Sequence, residues 1–105
     1  MGKPNTRHLD REIEQTTRKL KAVQEREMWP LTGRERRAVL AGLASGAHKV
    51  VRGKSPARAE RQLTTAWGAA EKRLSAEISA LETERQRIVN EAATAKVAKK
   101  SSGWW

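Results

Sequence analysis

Basic side chains gather in the middle of this 105-residue chain, where their types and spacing suit phosphate binding. Lys54, Ser55, Arg58 and Arg61 lie around a Gly-Lys-Ser-Pro sequence that should end one helix and begin another. The free amides at the start of a helix attract anions, and all four side chains donate hydrogen bonds that phosphate oxygens accept. We expect these four residues to form a phosphate site. The alternative is an ordinary capped helix with basic neighbours.

The segment before this sequence extends the basic surface. Thr32 and Glu35 have the spacing of a capping box, which predicts that a helix begins after Thr32. At 100° per residue, Arg34 and Arg37 near the start of this helix and Arg52 at its end fall on one side. Ala41 and Ser45 lie between them on the same side. Small residues between cations let a helix lie close to a phosphate backbone, although a solvated basic face has the same pattern. The residues predicted to bind nucleic acid are Arg34, Arg37, Lys49, Arg52, Lys54, Ser55, Arg58 and Arg61.

The distribution of charge supports a localised site. The formal net charge is +10, and residues 31–62 hold eight bases against two acids, whereas residues 63–90 hold four of each. A segregated positive charge favours a surface that binds a polyanion, either DNA or RNA or an acidic protein.

Other chemistry finds little support in the sequence. The chain has no cysteine, and its two histidines, His8 and His48, lie 40 residues apart with no paired acidic spacing beside either. It contains no phosphate-binding glycine loop and no nucleophile elbow. We therefore expect no catalytic residue, no metal and no cofactor. It also has no apolar run that would span a membrane and no signal peptide, which predicts a cytoplasmic protein.

Helical periodicity predicts an all-α fold, a three-helix antiparallel arrangement whose long, coiled-coil-like C-terminal helix extends beyond the bundle. The expected helices span about residues 6–28, 33–52 and 56–96, in a single domain of residues 1–98 with a flexible tail of residues 99–105. The positions expected to face inward in the first helix are Leu9, Ile13, Thr16, Leu20 and Val23, and those in the third include Leu63, Trp67, Ala70, Leu74, Ile78 and Leu81. In the second helix they are Val39, Leu40, Leu43, Ala47, Val50 and Val51. Trp29 is expected to pack over one end, with base stacking as the alternative.

The end of the chain supplies candidates for protein binding. If the helices run up, down and up, the third leaves an unpaired arm from about residue 85 onward. Ile88 and Val89 could pair there with a second copy or with another protein. Trp104 and Trp105 could enter an apolar pocket or stack on bases. A frayed tail is the alternative. The sequence thus supports two hypotheses: a non-enzymatic helical protein that binds the nucleic-acid backbone, and a coiled-coil assembly protein that binds an acidic partner or itself.

Overall fold

The protein consists of three α-helices in a computed structural model that describes residues 5–102, with the side chains of residues 5–98. They are α1 (Arg7–Gln24), α2 (Gly33–Val51) and α3 (Ala57–Ser102). The all-α prediction and the long C-terminal helix are confirmed, and the described residues contain no strand. At 1.5 Å per residue, the 46 residues of α3 extend about 69 Å.

α3 is the spine on which both shorter helices lie. Near the start of α1, Asp10 pairs with Arg85 at 2.6 Å, and just beyond its end Arg26 lies 3.6 Å from Glu71. α1 therefore runs antiparallel to α3, from the middle of the spine toward its N-terminal half.

α2 continues the same layer along the first third of α3. Its Glu35 bonds Arg73 at 2.9 Å, and its Gly42 faces Leu63. α2 is therefore antiparallel to α3 as well, and no Cα of α1 comes within 8 Å of α2. This differs from the up, down and up order: α1 and α2 run in the same direction, one after the other.

The end-to-end arrangement makes the molecule a rod. Its principal extents are 84 × 18 × 18 Å and its radius of gyration is 22.1 Å, where a compact domain of this length has about 13 Å. Within residues 5–102, no helix combines the length and the apolar character needed to cross a bilayer.

The core lies where the end of α1, the start of α2 and the connection between them meet α3. Its buried cluster comprises Val23, Leu31, Val39, Trp67, Ala70 and Leu74. Five of these, Val23, Val39, Trp67, Ala70 and Leu74, are inward positions that the periodicity predicts. Because the cluster is small and Leu74 is among its few large, fully buried side chains, each member should contribute a large share of the stability.

α1 ends at Gln24, four residues earlier than the sequence predicts. The chain turns at Arg26, whose φ of +64° is left-handed, and two backbone bonds close a Schellman motif there. Glycine usually occupies this position, and a residue with a Cβ costs about 1–2 kcal/mol. The Arg26 guanidinium lies 5.3 Å from the Trp67 ring centroid and pairs with Glu71, contacts that offset this cost.

The start of α2 and both ends of the α2–α3 connection form as predicted. The Thr32 hydroxyl accepts the Glu35 amide at 3.3 Å while the Glu35 carboxylate accepts the Thr32 amide at 2.9 Å, which completes the capping box. Gly53 has a φ of +71° and ends α2 in a second Schellman motif. Ser55 then accepts the Ala57 amide at 3.4 Å, where α3 begins.

α2 packs with a different side from the one its apolar residues predict. Val39 and Gly42 are buried against α3, because a glycine lets two helices approach closely: a Cβ on Gly42 would lie 3.0 Å from Leu63. The predicted inward residues Leu40, Leu43, Ala47, Val50 and Val51 are instead exposed.

The prediction that Trp29 packs over one end of the core was wrong. Its side chain is 58% exposed, and its indole N–H donates to the Glu27 carboxylate at 3.2 Å. Leu31 and Pro30 are buried in this connection, while Met28 packs partly against the core. The turn at Arg26 shortens α1 and so changes which side of the connection faces inward.

Candidate nucleic-acid interface

All eight residues predicted to bind nucleic acid lie on one antiparallel hairpin. We call residues 33–66 the basic hairpin; it contains α2, the connection of residues 52–56 and the first turns of α3. The two Schellman bonds at Gly53 and the Ser55 cap make this connection short. As a result, the cations at the end of α2 and at the start of α3 come close together.

A groove runs between α2 and α3 on one flank of the basic hairpin. Its volume is about 630 Å³ and it is wide open to solvent. The lining residues are Ala38, Ala41, Arg58, Arg61, Gln62, Thr65 and Ala66. We call it the basic groove. Alanines from both helices keep it shallow, and the two arginines provide charge-assisted donors along its α3 side.

Helical spacing extends this flank beyond the basic groove. Arg34 lies one turn before Ala38, and Arg52 lies 18 residues, or five turns, after Arg34, so both fall on the same side of α2. They are about 27 Å apart along the helix axis. That length corresponds to about eight steps of a nucleic-acid strand at 3.4 Å per step.

Lys72 is a candidate that the sequence did not indicate. It lies 11 residues after Arg61 and 14 after Arg58, on the same side of α3, and its side chain is exposed. Residues 63–90 have no net charge, so counting charge by segment conceals this lysine. The spacing of Arg58, Arg61 and Lys72 along α3 was the signal that could have found it.

The remaining predicted residues are not gathered in the basic groove. Arg37 is exposed on the side of α2 that points away from α3, while Lys49 is half-buried on the packed side. Lys54 and Ser55 lie in the connection, and the Ser55 hydroxyl accepts the Ala57 amide. Of the four residues expected to hold one phosphate, the basic groove therefore includes Arg58 and Arg61.

The cations of the basic hairpin have no acidic partners among residues 5–98. None of the eight basic residues between Arg34 and Arg61 forms an ion pair in this part of the chain. The arginines that do pair with acids lie elsewhere and are Arg18, Arg26, Arg73, Arg85 and Arg87. The positive charge of the basic hairpin is thus left to solvent or to a ligand.

One of the two acids in the basic hairpin, Glu35, is already bound. Glu35 accepts two hydrogen bonds from the Arg73 guanidinium, at 2.9 and 3.0 Å, and it also completes the α2 cap. The hydrogen bonds from Arg73 have the largest effect on the pKa of Glu35, and with the Thr32 amide they hold it below its ordinary value. The carboxylate therefore stays ionised and engaged at neutral pH, and Glu60 is the only other acid in the basic hairpin.

The candidates for protein binding lie at the other end of the rod. Ile88 and Val89 are half-buried. Because Asp10 pairs with Arg85 and the two helices are antiparallel, Arg7, the first residue of α1, lies level with Ile88. The helix continues to Ser102, about 20 Å beyond Val89. Trp104 and Trp105 lie outside the described residues.

Comparisons with known proteins add no identity to this geometry: no family model, no curated protein and no solved structure matches the chain. Within the described residues, no group of three or more acidic or histidine side chains is placed to hold a metal ion.

Proposed function

We propose that this protein binds nucleic acid through the phosphate backbone, at the flank of the basic hairpin that contains the basic groove. The carrying observation is that none of the eight basic residues of this hairpin pairs with an acid among residues 5–98, whereas five of the seven arginines elsewhere on the rod are paired. Ion pairs would have to be broken before paired arginines could bind phosphate. Unpaired cations bind phosphate at no such cost and gain from the release of counterions.

The shape of the flank favours the backbone over the bases. Alanines at the floor of the basic groove allow close approach, but the lining contains no aromatic side chain on which a base could stack. Its polar amide and hydroxyl, Gln62 and Thr65, lie beside the two arginines. Contacts with phosphate position a protein without reading sequence, so we expect affinity that depends little on the sequence of the nucleic acid.

The test is a titration of a labelled DNA duplex, and of an RNA of similar length, followed by fluorescence anisotropy over a range of salt concentrations. We expect log affinity to fall with log salt at a slope of about −4 to −6, as for five or six neutralised phosphates. Replacing Arg58→Gln and Arg61→Gln together should make the slope shallower by about two and weaken binding at least tenfold, because two phosphate contacts are lost.

A matched control separates the site from net charge alone. The Lys19→Gln, Lys21→Gln variant removes the same charge from exposed positions of α1 and should keep the wild-type slope. Equal losses in both variants would show that binding follows total charge, and the basic groove would then have no special role. Absence of binding even at low salt would end the proposal.

The proposal also includes the expected chemistry and location of the protein. A nucleic-acid-binding protein of this kind needs no cofactor and no catalytic residue, and it would act in the cytoplasm. The rival hypothesis of a coiled-coil assembly protein predicts a homodimer through Ile88 and Val89 on the arm. Sedimentation equilibrium distinguishes the two, because assembly requires a defined stoichiometry in the absence of nucleic acid.

A further inference from the structure

The opposite flank of α2 is apolar and open. Six large apolar side chains are exposed among the described residues, and four of them, Leu40, Leu43, Val50 and Val51, lie on this flank. Single exposed apolar residues are common, but a contiguous patch usually marks an interaction site. With Ala47 between them, the residues follow a 3-4-3 spacing, which is the spacing of a helix that packs against another helix. We call residues 40, 43, 47, 50 and 51 the apolar flank.

A cleft beside the apolar flank deepens this surface. It has a volume of about 350 Å³ and lies between Leu43 of α2, Leu63 and Trp67 of α3, and Arg26 and Met28 of the connection after α1. α1 packs on α3 up to this point and then turns away at Arg26. A helix in the cleft would therefore continue the layer that α1 begins, alongside α2.

The charges around this surface indicate the chemistry of its partner. Arg36 lies one turn before Leu40 and Arg26 borders the cleft. α2 carries four bases and one acid, and that acid, Glu35, is bound to Arg73. A helix that packs here would bring its flanking residues beside Arg36, which has no ion pair among residues 5–98, and near Arg26, which already pairs with Glu71. Acidic flanking residues are therefore complementary to Arg36.

No helix of this chain fits that description. α1 has five bases and three acids, α2 has four and one, and α3 has nine and six. Two copies paired through their apolar flanks would place Arg36 of each beside a second basic α2, and like charges across an interface are unfavourable. The occupant must come from another protein.

We propose that the apolar flank and its cleft dock an acidic amphipathic helix of a partner protein. Leucines of that helix pack against Leu40 and Leu43 and enter the cleft above Trp67. Its glutamates or aspartates pair with Arg36. This surface is separate from the basic groove on the other flank of α2, so nucleic acid and partner can bind at the same time.

The test uses synthetic peptides of about three heptads, labelled for fluorescence anisotropy at near-physiological salt. The main probe has leucine at the seam positions and glutamate at the flanking positions. One control has lysine in place of glutamate, and another has serine in place of leucine. We expect the full-length protein to bind the acidic leucine peptide and neither control. A Leu40→Ser, Leu43→Ser variant should bind it at least tenfold more weakly, because the central apolar contacts are lost.

Matched variants keep the test specific. Val97→Ser removes an exposed apolar side chain from the arm and should leave the peptide affinity unchanged. The Arg58→Gln, Arg61→Gln variant should keep the peptide affinity while its affinity for nucleic acid falls. Because Leu40 and Leu43 are half exposed, the serine variant should keep its circular dichroism; Val50→Ser with Val51→Ser is a second variant with the same expectation.

Three outcomes would overturn the proposal. Unchanged peptide affinity in the serine variants would show that the apolar flank is not the docking surface. Self-association that the serine variants abolish, with no peptide binding, would assign the flank to a second copy. Sedimentation with phosphatidylglycerol vesicles that the serine variants abolish, again with no peptide binding, would assign it to a lipid surface.

Discussion

The two short helices use α3 in different ways. α1 buries Thr16, Ala22 and Val23 against α3. Ion pairs from Asp10 to Arg85 and from Arg26, just after α1, to Glu71 close the edges of this contact. α2 packs closely through Gly42 and leaves its leucines and most of its cations outside. The α1 section is therefore an interface complete in itself, whereas the α2 section leaves both apolar surface and positive charge available for ligands.

The largest expected difference between the sections is the effect of removing a leucine. Leu74 is fully buried against the end of α1, and Leu74→Ala should lower the free energy of unfolding by about 2–5 kcal/mol. Leu40 on the apolar flank is 50% exposed, and Leu40→Ala should lower it by about 0.5 kcal/mol or less. Urea unfolding followed by circular dichroism measures both. A loss at Leu40 as large as that at Leu74 would mean that the apolar flank is buried in solution.

A smaller effect is expected at the Glu35–Arg73 ion pair, which is the one that joins α2 to α3 among residues 5–98. Glu35→Gln keeps a side chain that can complete the capping box but removes the charge that Arg73 binds. We expect the variant to be about 1–2 kcal/mol less stable at neutral pH.

The pH dependence of that difference identifies its cause. Because the folded-state pKa of Glu35 lies below its ordinary value of 4.5, its contribution is complete above that value and is lost as the pH falls through the folded-state pKa. The stabilities of wild type and variant should therefore converge in acid. A difference that stays constant from pH 7 to pH 3 would show that the charge of Glu35 is not what stabilises the helix pair.

The smallest expected effect is the difference between two glycine-to-alanine variants. Both gain helix propensity, but one of them lies where α2 approaches α3 closely. Gly68 lies inside α3 with nothing within 4 Å of a built Cβ, so Gly68→Ala should stabilise the protein by about 1 kcal/mol. Gly42→Ala gains the same propensity but places its Cβ 3.0 Å from Leu63, so the gain should vanish or reverse. Thermal unfolding of the two variants gives the comparison. Equal stabilisation would mean that Leu63 moves aside freely and that the glycine is not required.

Much of the fold follows from local signals in the sequence. The Thr32 capping box, the left-handed Gly53 and the buried seam at Val23, Trp67 and Leu74 all form as predicted. Each depends on residues close in sequence or on one helix's own periodicity, which are the interactions that a sequence displays directly.

The rest depends on contacts between distant residues. The left-handed turn after α1 has arginine where glycine is usual, and only the ring of Trp67 and the carboxylate of Glu71 explain it. A helical wheel shows that α2 has an apolar side, but the side that packs is decided by how closely Gly42 approaches Leu63. Likewise the sequence predicts that the cations cluster. It does not show that Arg58 and Arg61 line a groove with two alanines of α2, because that depends on the register in which α2 packs on α3.

The end-to-end layer on α3 has a hydrodynamic consequence. A rod of 84 Å by 18 Å has an axial ratio of about 4.7 (84/18), and its frictional drag exceeds that of a sphere of the same mass. The monomer should therefore elute early from a size-exclusion column, at the volume of a larger compact protein. A dimer and an elongated monomer would look alike by elution volume, and only a measurement of mass, by light scattering or sedimentation equilibrium, separates them.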